Sequence, residues 1–203
     1  MQSKTIKDIF KLFIDIFYVN LLFWCTLIVG LGLTTVASFK AMFHVLFHLH
    51  DPKHQTYVAR EYFESFKENF LTSLWMSVVL IGVALLYYVL FRYAFTNVIT
   101  VLMAFSIVSA FLFVSYLLYL LPIYAIFQTE SNKKLFQNSF FLFAGHPWVT
   151  FKLIGSLAFV VLLFELFSGT ILFSVALVCY INTIHLDPIF KPYYPVLVEE
   201  ESI

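Results

Sequence analysis

Apolar residues in this chain are gathered into long runs without charged side chains. The longest run covers residues 93–129, and its middle is VITVLMAFSIVSAFLFVSYLLYLLPIYAIF, residues 98–127. A helix needs about 20 apolar residues to cross the hydrocarbon core of a bilayer. Because an unpaired backbone amide costs several kcal/mol in lipid, a run of this length must be helical there. The pattern therefore predicts a transmembrane helix.

Three other runs are long and apolar enough to cross a membrane, at residues 69–91, 149–166 and 170–186. Asn97 stands before the longest run and is predicted to cap the helix that begins there. Pro122 lies near the far end of that run, where it is predicted to kink the helix or to end its membrane part.

The first apolar run, residues 16–39, permits two topologies. It is uncharged, but it contains Gly30 and Gly32 followed by Thr34 and Thr35. Because glycine weakens a helix and threonine can cap a new one, the run either crosses once or bends and returns. We expect the single crossing, which gives about five spans in the chain.

Two polar connectors, at residues 40–68 and 128–152, separate the spans, and each contains an amphipathic helix that leads into the next span. In YVAREYFESFKENF the aromatic residues fall on one side of a helix and the charged residues on the other. The segment LFQNSFFLFAGHPW repeats this plan in the second connector. Both helices are predicted to lie at the membrane surface.

The two ends of the chain are predicted to lie outside the bilayer core. Residues 1–15 alternate lysines with apolar positions, which predicts an interfacial helix. The alternative for this end is a signal peptide. Residues 187–203 contain three prolines and three consecutive glutamates, which predicts an irregular tail in water.

Composition supports a polytopic membrane protein. The chain of 203 residues is 62% apolar and 12% charged, whereas an average soluble domain is about 25% charged. We therefore predict an all-α membrane helix bundle that forms a single domain and is surrounded by membrane lipids. Basic and acidic residues are equal at 12 each, so no basic surface indicates nucleic-acid binding. Both cysteines lie in apolar runs, so no disulfide is predicted.

The positions of the basic residues predict the orientation of the chain. If residues 16–39 cross, eight of the 12 basic residues lie on the side of the connectors, and Arg92 and three N-terminal lysines lie opposite. If that run returns, Arg92 alone lies opposite. Basic residues are enriched in cytoplasmic loops, so both topologies place the long connectors and the C-terminus in the cytoplasm.

The first connector is rich in histidine, which allows three interpretations. Two of the histidines are four residues apart and share a helix face, as zinc ligands can. The cluster is a metal site, a pH-sensitive interface, or the solvated stripe of an interfacial helix that also includes Lys40. We favour the stripe, so we predict no metal and no cofactor. The residues concerned are His44, His48, His50, Asp51 and His54.

Catalytic signals are weak. Glu165 is the only acidic residue in an apolar run beyond Lys152, and a carboxylate inside a membrane can belong to an ion path. Because it lies three residues before Ser168, we expect it at the end of its span, in water. The sequence contains no phosphate-binding loop, no H-E-x-x-H, no G-x-S-x-G and no C-x-x-C motif. We therefore predict that the protein is not an enzyme.

Aromatic residues of the two amphipathic helices are candidates for docking a partner. Proline is favoured in the first turn of a helix and tryptophan at the membrane interface, so the segment 146–148 is first of all a well-fixed corner. Together with nearby phenylalanines it also offers a cytoplasmic docking surface. The candidates are Phe63, Phe66, Phe136, Phe140, Phe143, His146, Pro147 and Trp148.

Four segments of the chain resemble the YesL-like family of small bacterial membrane proteins. They are NLLFWCTLIVGLGLTTVASFKAMF, SFKENFLTSLW, YLLPIYAIF and LFQNSFFLFAGHPWVTFKLI. The resemblance extends over roughly residues 15–194 and depends on the order and spacing of these segments. The chain departs from the family pattern at the first glycine break and after Pro122, where Ile126 and Phe127 replace a basic residue.

The resemblance implies a location in the bacterial plasma membrane and supplies no catalytic residues, because the family has been classed as of unknown function. Genes for such proteins often lie beside genes for carbohydrate import by ABC-type transporters. The resemblance thus implies an accessory or assembly subunit whose partners are the transmembrane or ATPase subunits of a sugar importer.

The alternative function is a stand-alone transporter or channel for a small solute. A solute path needs several polar groups at mid-membrane depth. The available candidates are Asn20, Gly30, Gly32, Thr34, Thr35, Ser106, Ser109 and Ser115.

Overall fold

The computed structural model describes residues 6–49, 57–127, 132–166 and 171–193, and these residues form helices and short turns without a strand. The predicted all-α class is confirmed. A 3₁₀ turn, Lys191–Tyr193, follows the last helix. The helices are α1 (Ile6–Val29), α2 (Thr35–His48), α3 (Val58–Lys67), α4 (Phe70–Thr96), α5 (Thr100–Ile126), α6 (Asn132–Gly145), α7 (Pro147–Leu166) and α8 (Ile171–Phe190).

Five of the described helices are long and apolar enough to cross a membrane. They are α4, α5, α7 and the greater parts of α1 and α8, Ile9–Val29 and Phe173–Phe190. In the most apolar windows of α4 and α5 only 11% of the residues are buried inside the protein, so most of their side chains face outward. Such surfaces need lipid around them. The chain is therefore a multi-pass membrane protein.

The polar connectors enter the bundle at one of its ends, which we call the connector end. Tyr124 near the end of α5 lies 2.9 Å from Ser73 near the beginning of α4, measured between the two hydroxyl oxygens. Phe190 at the end of α8 packs against Phe127 at the end of α5, with ring centroids 5.5 Å apart. The beginning of α4 and the ends of α5 and α8 therefore lie together.

Helix α1 runs in the same direction as α8. The rings of Phe13 and Phe173 are 6.1 Å apart, and Asn20 Oδ1 accepts a hydrogen bond from the backbone N–H of Ala176 at 3.0 Å. The beginnings of both helices thus lie at the end of the bundle opposite the connector end. This direction is the one expected when the first segment crosses, and α1 is a packed part of the bundle.

The first apolar run bends at its glycines, as one of the two predicted topologies allowed, but it does not return within residues 16–39. The candidate span is Ile9–Val29 of α1, in agreement with the expected crossing, and the remainder of the run begins α2. Between α1 and α2 the backbone of Gly32 has a φ of 79°, which favours glycine. A Cβ atom on Gly30 would overlap Thr34 Oγ1. Thr34 donates this hydroxyl to the carbonyl oxygen of Thr26 at 2.8 Å and so closes the end of α1 rather than capping α2.

Helix α2 lies at the centre of the described bundle, in contact with α1, α3, α4, α5 and α8. Its 14 residues span about 21 Å, too short for a crossing. Ten of them are buried. The backbone N–H of Val36 donates to Ser77 Oγ of α4 at 2.9 Å, so even its first turn finds a partner on a neighbouring helix. The predicted surface connector therefore begins as a core helix.

Several predicted boundaries also shift. Asn97 donates its amide to the carbonyl oxygen of Tyr93 at 2.9 Å and so closes α4; the prediction that it caps α5 is wrong. Pro122 lies inside α5, and the helix continues beyond it to Ile126. The predicted tail starts too early, because α8 continues through Pro188 to the buried Phe190. Residues 194–203 lie outside the described residues.

The ends of the other elements follow the sequence more closely. Helix α7 begins at Pro147, where proline was expected to start a helix. The segment 6–15 forms the first part of α1, and the candidate span Ile9–Val29 already includes most of it, so the structure has no separate interfacial helix at residues 6–15. Residues 1–5 lie outside the described residues.

Candidate functional site

A buried lysine is the most unusual polar feature of the described bundle. Lys40 of α2 is only 3% exposed, and its ammonium nitrogen lies 2.7 Å from Glu68 Oε2. It also donates to the backbone carbonyl oxygen of Glu68 at 3.2 Å and lies 5.3 Å from the ring centroid of Tyr124. A buried charge is expensive unless it is paired, and here a carboxylate, a carbonyl and an aromatic face compensate it.

A polar cavity of about 60 Å³ lies beside this ion pair. His44 and Asn69 contribute to its walls together with the pair and Tyr124. Asn69 has a φ of 52°, a left-handed conformation that asparagine tolerates better than most residues, and it forms the sharp turn from α3 into α4. The cavity has room for water but lies far below the roughly 300–1,000 Å³ of organic-ligand pockets. It cannot hold a sugar.

Two histidines continue the polar row along α2 from Lys40 towards the surface. The rings of His44 and His48 are 4.4 Å apart. His44 Nδ1 lies 3.4 Å from the carbonyl oxygen of Ala125, and His48 Nδ1 lies 3.1 Å from Glu61 Oε2. Burial lowers the pKa of His44, and the nearby charge of His48 lowers it further, while Ala125, Glu61 and Glu68 act in the opposite direction.

We predicted that Lys40 and the histidines of α2 form a solvated stripe. This prediction is wrong for Lys40, which faces the core, whereas the His48 side chain is partly exposed as predicted. Among the described residues, no three histidine, cysteine or carboxylate side chains are placed to share a metal ion. His50, Asp51 and His54, the remaining members of the predicted cluster, lie outside the described residues.

A second polar cluster joins α3 to the bend between α1 and α2. The hydroxyl of Tyr62 lies 2.8 Å from Thr26 Oγ1, which in turn lies 2.9 Å from Ser38 Oγ. Tyr62 is fully buried, and this burial raises its pKa to about 12. The amphipathic pattern predicted that Tyr62 lies on the apolar side of α3. No residue spacing indicated that its hydroxyl bridges two other helices.

The candidate docking residues of the second connector meet at the corner where α6 passes into α7. Phe136, Phe140 and Trp148 are 41%, 57% and 74% exposed. His146 and Pro147 form the turn between the helices. We call these five residues the α6–α7 corner.

Tyrosines of α5 fix this corner from behind. Tyr116 donates its hydroxyl to the carbonyl oxygen of Phe136 at 3.1 Å, and Tyr119 donates to that of His146 at 3.2 Å. The Tyr119 hydroxyl also lies 2.9 Å from Thr150 Oγ1. Phe143 packs against both tyrosine rings, at 6.4 and 6.0 Å, so it is part of this internal contact rather than of the exposed surface.

The docking candidates on α3 lie elsewhere on the molecule. Phe63 is 41% exposed, while Phe66 is half-buried and lies 5.4 Å from Phe70, measured between ring centroids. Helix α3 packs on α1 and α2, whereas α6 packs on α5 and α7. The predicted docking residues therefore fall into two groups on different pairs of helices.

Glu165 lies in the last turn of α7 with its side chain exposed, as expected for the end of a span.

The polar residues proposed for a solute path mostly have local partners. Ser106 and Ser115 of α5 donate to backbone carbonyl oxygens four residues earlier, each at 2.8 Å. Asn20 is used in the contact between α1 and α8.

Residues 16–91 match the model of a protein family described as "Protein of unknown function, DUF624". This match is consistent with the resemblance to the YesL-like family, and it covers most of α1 together with α2, α3 and most of α4. The buried Lys40 pair lies within the matched part, and the α6–α7 corner lies outside it. Comparisons with curated proteins and with solved structures found no match.

Proposed function

We propose that this protein is a non-enzymatic accessory subunit that docks on a membrane partner through the α6–α7 corner. The observation that supports this proposal is a group of exposed aromatic side chains on a corner that α5 holds in place. Docking residues are most effective when they are large and already ordered, because little conformational entropy is then lost on binding.

The corner has the composition of a protein contact. Phe136 and Phe140 are four residues apart and share one face of α6, and Trp148 follows in the first turn of α7. Aromatic residues are enriched among the few residues that contribute most to binding energy in protein interfaces. Leu135 and Ser139 lie about 100° around the helix from this face and are buried, so α6 packs on the protein through a neighbouring face while Phe136 and Phe140 stay exposed.

The same geometry argues against the alternative function, a transporter or channel. Serines that might line a path across α5 donate instead to their own helix, as Ser106 and Ser109 do. The polar cavity beside Lys40 is only about 60 Å³. A transport path for a solute needs exposed polar groups at mid-depth, so a supporting role for another protein fits these helices better.

For the partner we propose the transmembrane or ATPase subunits of an ABC-type carbohydrate importer in the bacterial plasma membrane. The support is the resemblance to the YesL-like family and the genes that accompany that family. Eight of the 12 basic residues lie on the side of the long connectors, which favours a cytoplasmic position for them and for the C-terminus. The α6–α7 corner would then lie where the cytoplasmic parts of such an importer begin.

The proposal can be tested by gentle purification of the tagged full-length protein from its native membrane. The docking variant is the double substitution Phe140→Ala and Trp148→Ala. A matched control is Phe105→Ala and Trp75→Ala, because these residues are similarly exposed, at 65% each, on α5 and α4. We expect importer subunits to copurify with the wild type and with the control, and the docking variant to lose at least about tenfold of them.

Two results would contradict the proposal. If the wild type is recovered repeatedly without importer subunits, the partner is wrong. If both double variants retain the subunits equally, the α6–α7 corner is not the docking surface. Solute flux in liposomes that contain only this protein would favour the transporter instead.

A further inference from the structure

An apolar groove of about 450 Å³ is lined mainly by residues of α5, α7 and α8, with Phe39 and Phe43 of α2. Val114, Val161 and Phe164 line its rim and are 45%, 52% and 39% exposed, so the groove opens sideways towards the lipid. Trp24 of α1 also lines it. Its volume lies within the roughly 300–1,000 Å³ typical of sites for small molecules.

One polar group faces this apolar groove without a partner. Asn182 lies near the middle of α8, is fully buried and lines the groove. Its Oδ1 lies 2.6 Å from the hydroxyl of Ser156 on α7, and among the described residues its Nδ2 has no hydrogen-bond partner. An unsatisfied buried amide is costly, and more so in a membrane.

The partner is missing whichever way the amide is turned. Ser156 has one hydroxyl proton, and its oxygen lies 2.7 Å from the carbonyl oxygen of Leu153. If that proton goes to Leu153, Asn182 must donate its nitrogen to Ser156, and its own carbonyl oxygen is then left over. Among the described residues, one hydrogen-bonding atom of the Asn182 amide is thus left for a ligand.

The walls restrict the kind of ligand. None of the described residues that line the groove is an Asp, Glu, Lys or Arg, so a phosphate or carboxylate at its polar point would be buried unpaired. A helix, about 10–12 Å across with its side chains, is too thick for this volume, whereas an extended hydrocarbon chain fits. A hydroxyl both donates and accepts, so it satisfies Asn182 in either orientation.

We propose that this groove binds one molecule of a neutral long-chain alcohol, whose hydroxyl group is hydrogen-bonded to the Asn182 amide and whose chain lies between α5 and α7. The site is separate from the α6–α7 corner, and it uses the unsatisfied amide that the packing of the bundle leaves inside an apolar wall.

The test uses tryptophan quenching in the full-length protein reconstituted into phosphatidylcholine vesicles. Trp75 and Trp148 are replaced by phenylalanine, so that Trp24 in the groove wall is the only tryptophan. The probe is 9,10-dibromostearyl alcohol, since bromine quenches at short range. The comparison probe is phosphatidylcholine with the same dibrominated chain. We expect the alcohol to quench Trp24 with saturation at a low mole fraction and the phospholipid to quench only in proportion to its amount.

Two variants complete the test. Asn182→Leu removes the amide at similar volume, so we expect the half-saturating mole fraction of the alcohol to rise about tenfold. Leu157→Phe leaves the amide in place but fills the groove, and it should abolish saturable quenching. Circular dichroism and elution profiles confirm that each variant is folded.

Three outcomes would overturn the proposal. Equal half-saturation by the alcohol and the phospholipid means that the groove takes an ordinary acyl chain. Unchanged alcohol binding in Asn182→Leu means that the amide does not hold the ligand. Quenching by the alcohol without saturation in the wild type means that the groove has no lipid site.

Discussion

At the scale of single residues, Lys40 determines how α2 can lie inside the bundle. Its ammonium group is buried, and its ionic partner is Glu68, whose side chain is 35% exposed. This asymmetry decides which partner is more costly to lose. A partly exposed carboxylate can be hydrated when its partner is removed, whereas a buried ammonium cannot.

The first prediction compares the two ends of this ion pair. Glu68→Ala leaves Lys40 buried without its counter-charge and should lower the free energy of unfolding by about 3 kcal/mol. Lys40→Met keeps the volume and leaves only a hydrated Glu68, so it should cost about 1 kcal/mol or less. Reversible unfolding in mixed micelles measures both values. An equal loss in the two variants would contradict the burial of Lys40.

The second prediction concerns pH and His44. Because burial lowers the pKa of His44 below its usual value of 6.5, the folded state resists protonation more than the unfolded state does. The stability that neutral His44 contributes is therefore fully present above pH 6.5, and it is lost as the pH falls through the lower pKa of the folded state. The substitution His44→Asn removes this pH-dependent contribution, because asparagine does not titrate in this range.

The measurement is the unfolding free energy at pH 7.5 and at pH 5.5. We expect the wild type to lose more stability on acidification than His44→Asn does. Lys40, His48, Glu61 and Glu68 surround the same site and remain in both proteins, so the difference isolates His44. A wild type that loses no more stability than His44→Asn on acidification would overturn this assignment.

At the scale of helices, the sequence predicted the four later spans and both amphipathic helices, but not the role of α2. Long uncharged runs specify spans because lipid permits few alternatives. Helix α3 was predicted from a different pattern, in which aromatic and charged residues fall on opposite sides of a helix. Helix α2 contains Lys40, His44 and His48, which are typical of a surface. Its burial depends on Glu68 and Tyr124, and no local pattern reveals these distant partners.

The third prediction tests the glycine bend between α1 and α2. A Cβ atom on Gly30 would overlap Thr34 Oγ1, so Gly30→Ala must displace Thr34 and break its hydrogen bond to Thr26. We expect a loss of about 2 kcal/mol in the free energy of unfolding. The matched control is Gly82→Ala in α4, where the added methyl group has no neighbour within 4 Å.

The control should be neutral or slightly stabilising, because alanine favours a helix more than glycine does. Equal effects of the two substitutions would show that the bend is not closely packed.

The docking candidates illustrate a limit of sequence reasoning. The aromatic pattern marked Phe140 and Phe143 alike, but only contact with Tyr116 and Tyr119 makes Phe143 an internal residue.

At the scale of the whole molecule, five crossings place the connectors and the N-terminus at opposite ends. Helix α1 runs parallel to α8, so its beginning lies opposite the connector end of the bundle, with the turn between α4 and α5. This direction could not be decided from the sequence, because the charge count favoured a returning first segment and the length of the uncharged run favoured a crossing.

The measurement that tests this architecture most directly is the accessibility of single cysteines in intact cells. Cys25 and Cys179 are first replaced by alanine. Single cysteines are then introduced as Lys7→Cys in α1, Asn97→Cys between α4 and α5, and Lys133→Cys in α6, all at exposed positions. The reagent is a maleimide that cannot cross membranes.

We predict that the cysteines at positions 7 and 97 are labelled in intact cells, and that the cysteine at position 133 is labelled only after the cells are opened. Labelling of positions 97 and 133 from the same side would contradict a crossing by α5, and with it the multi-pass bundle.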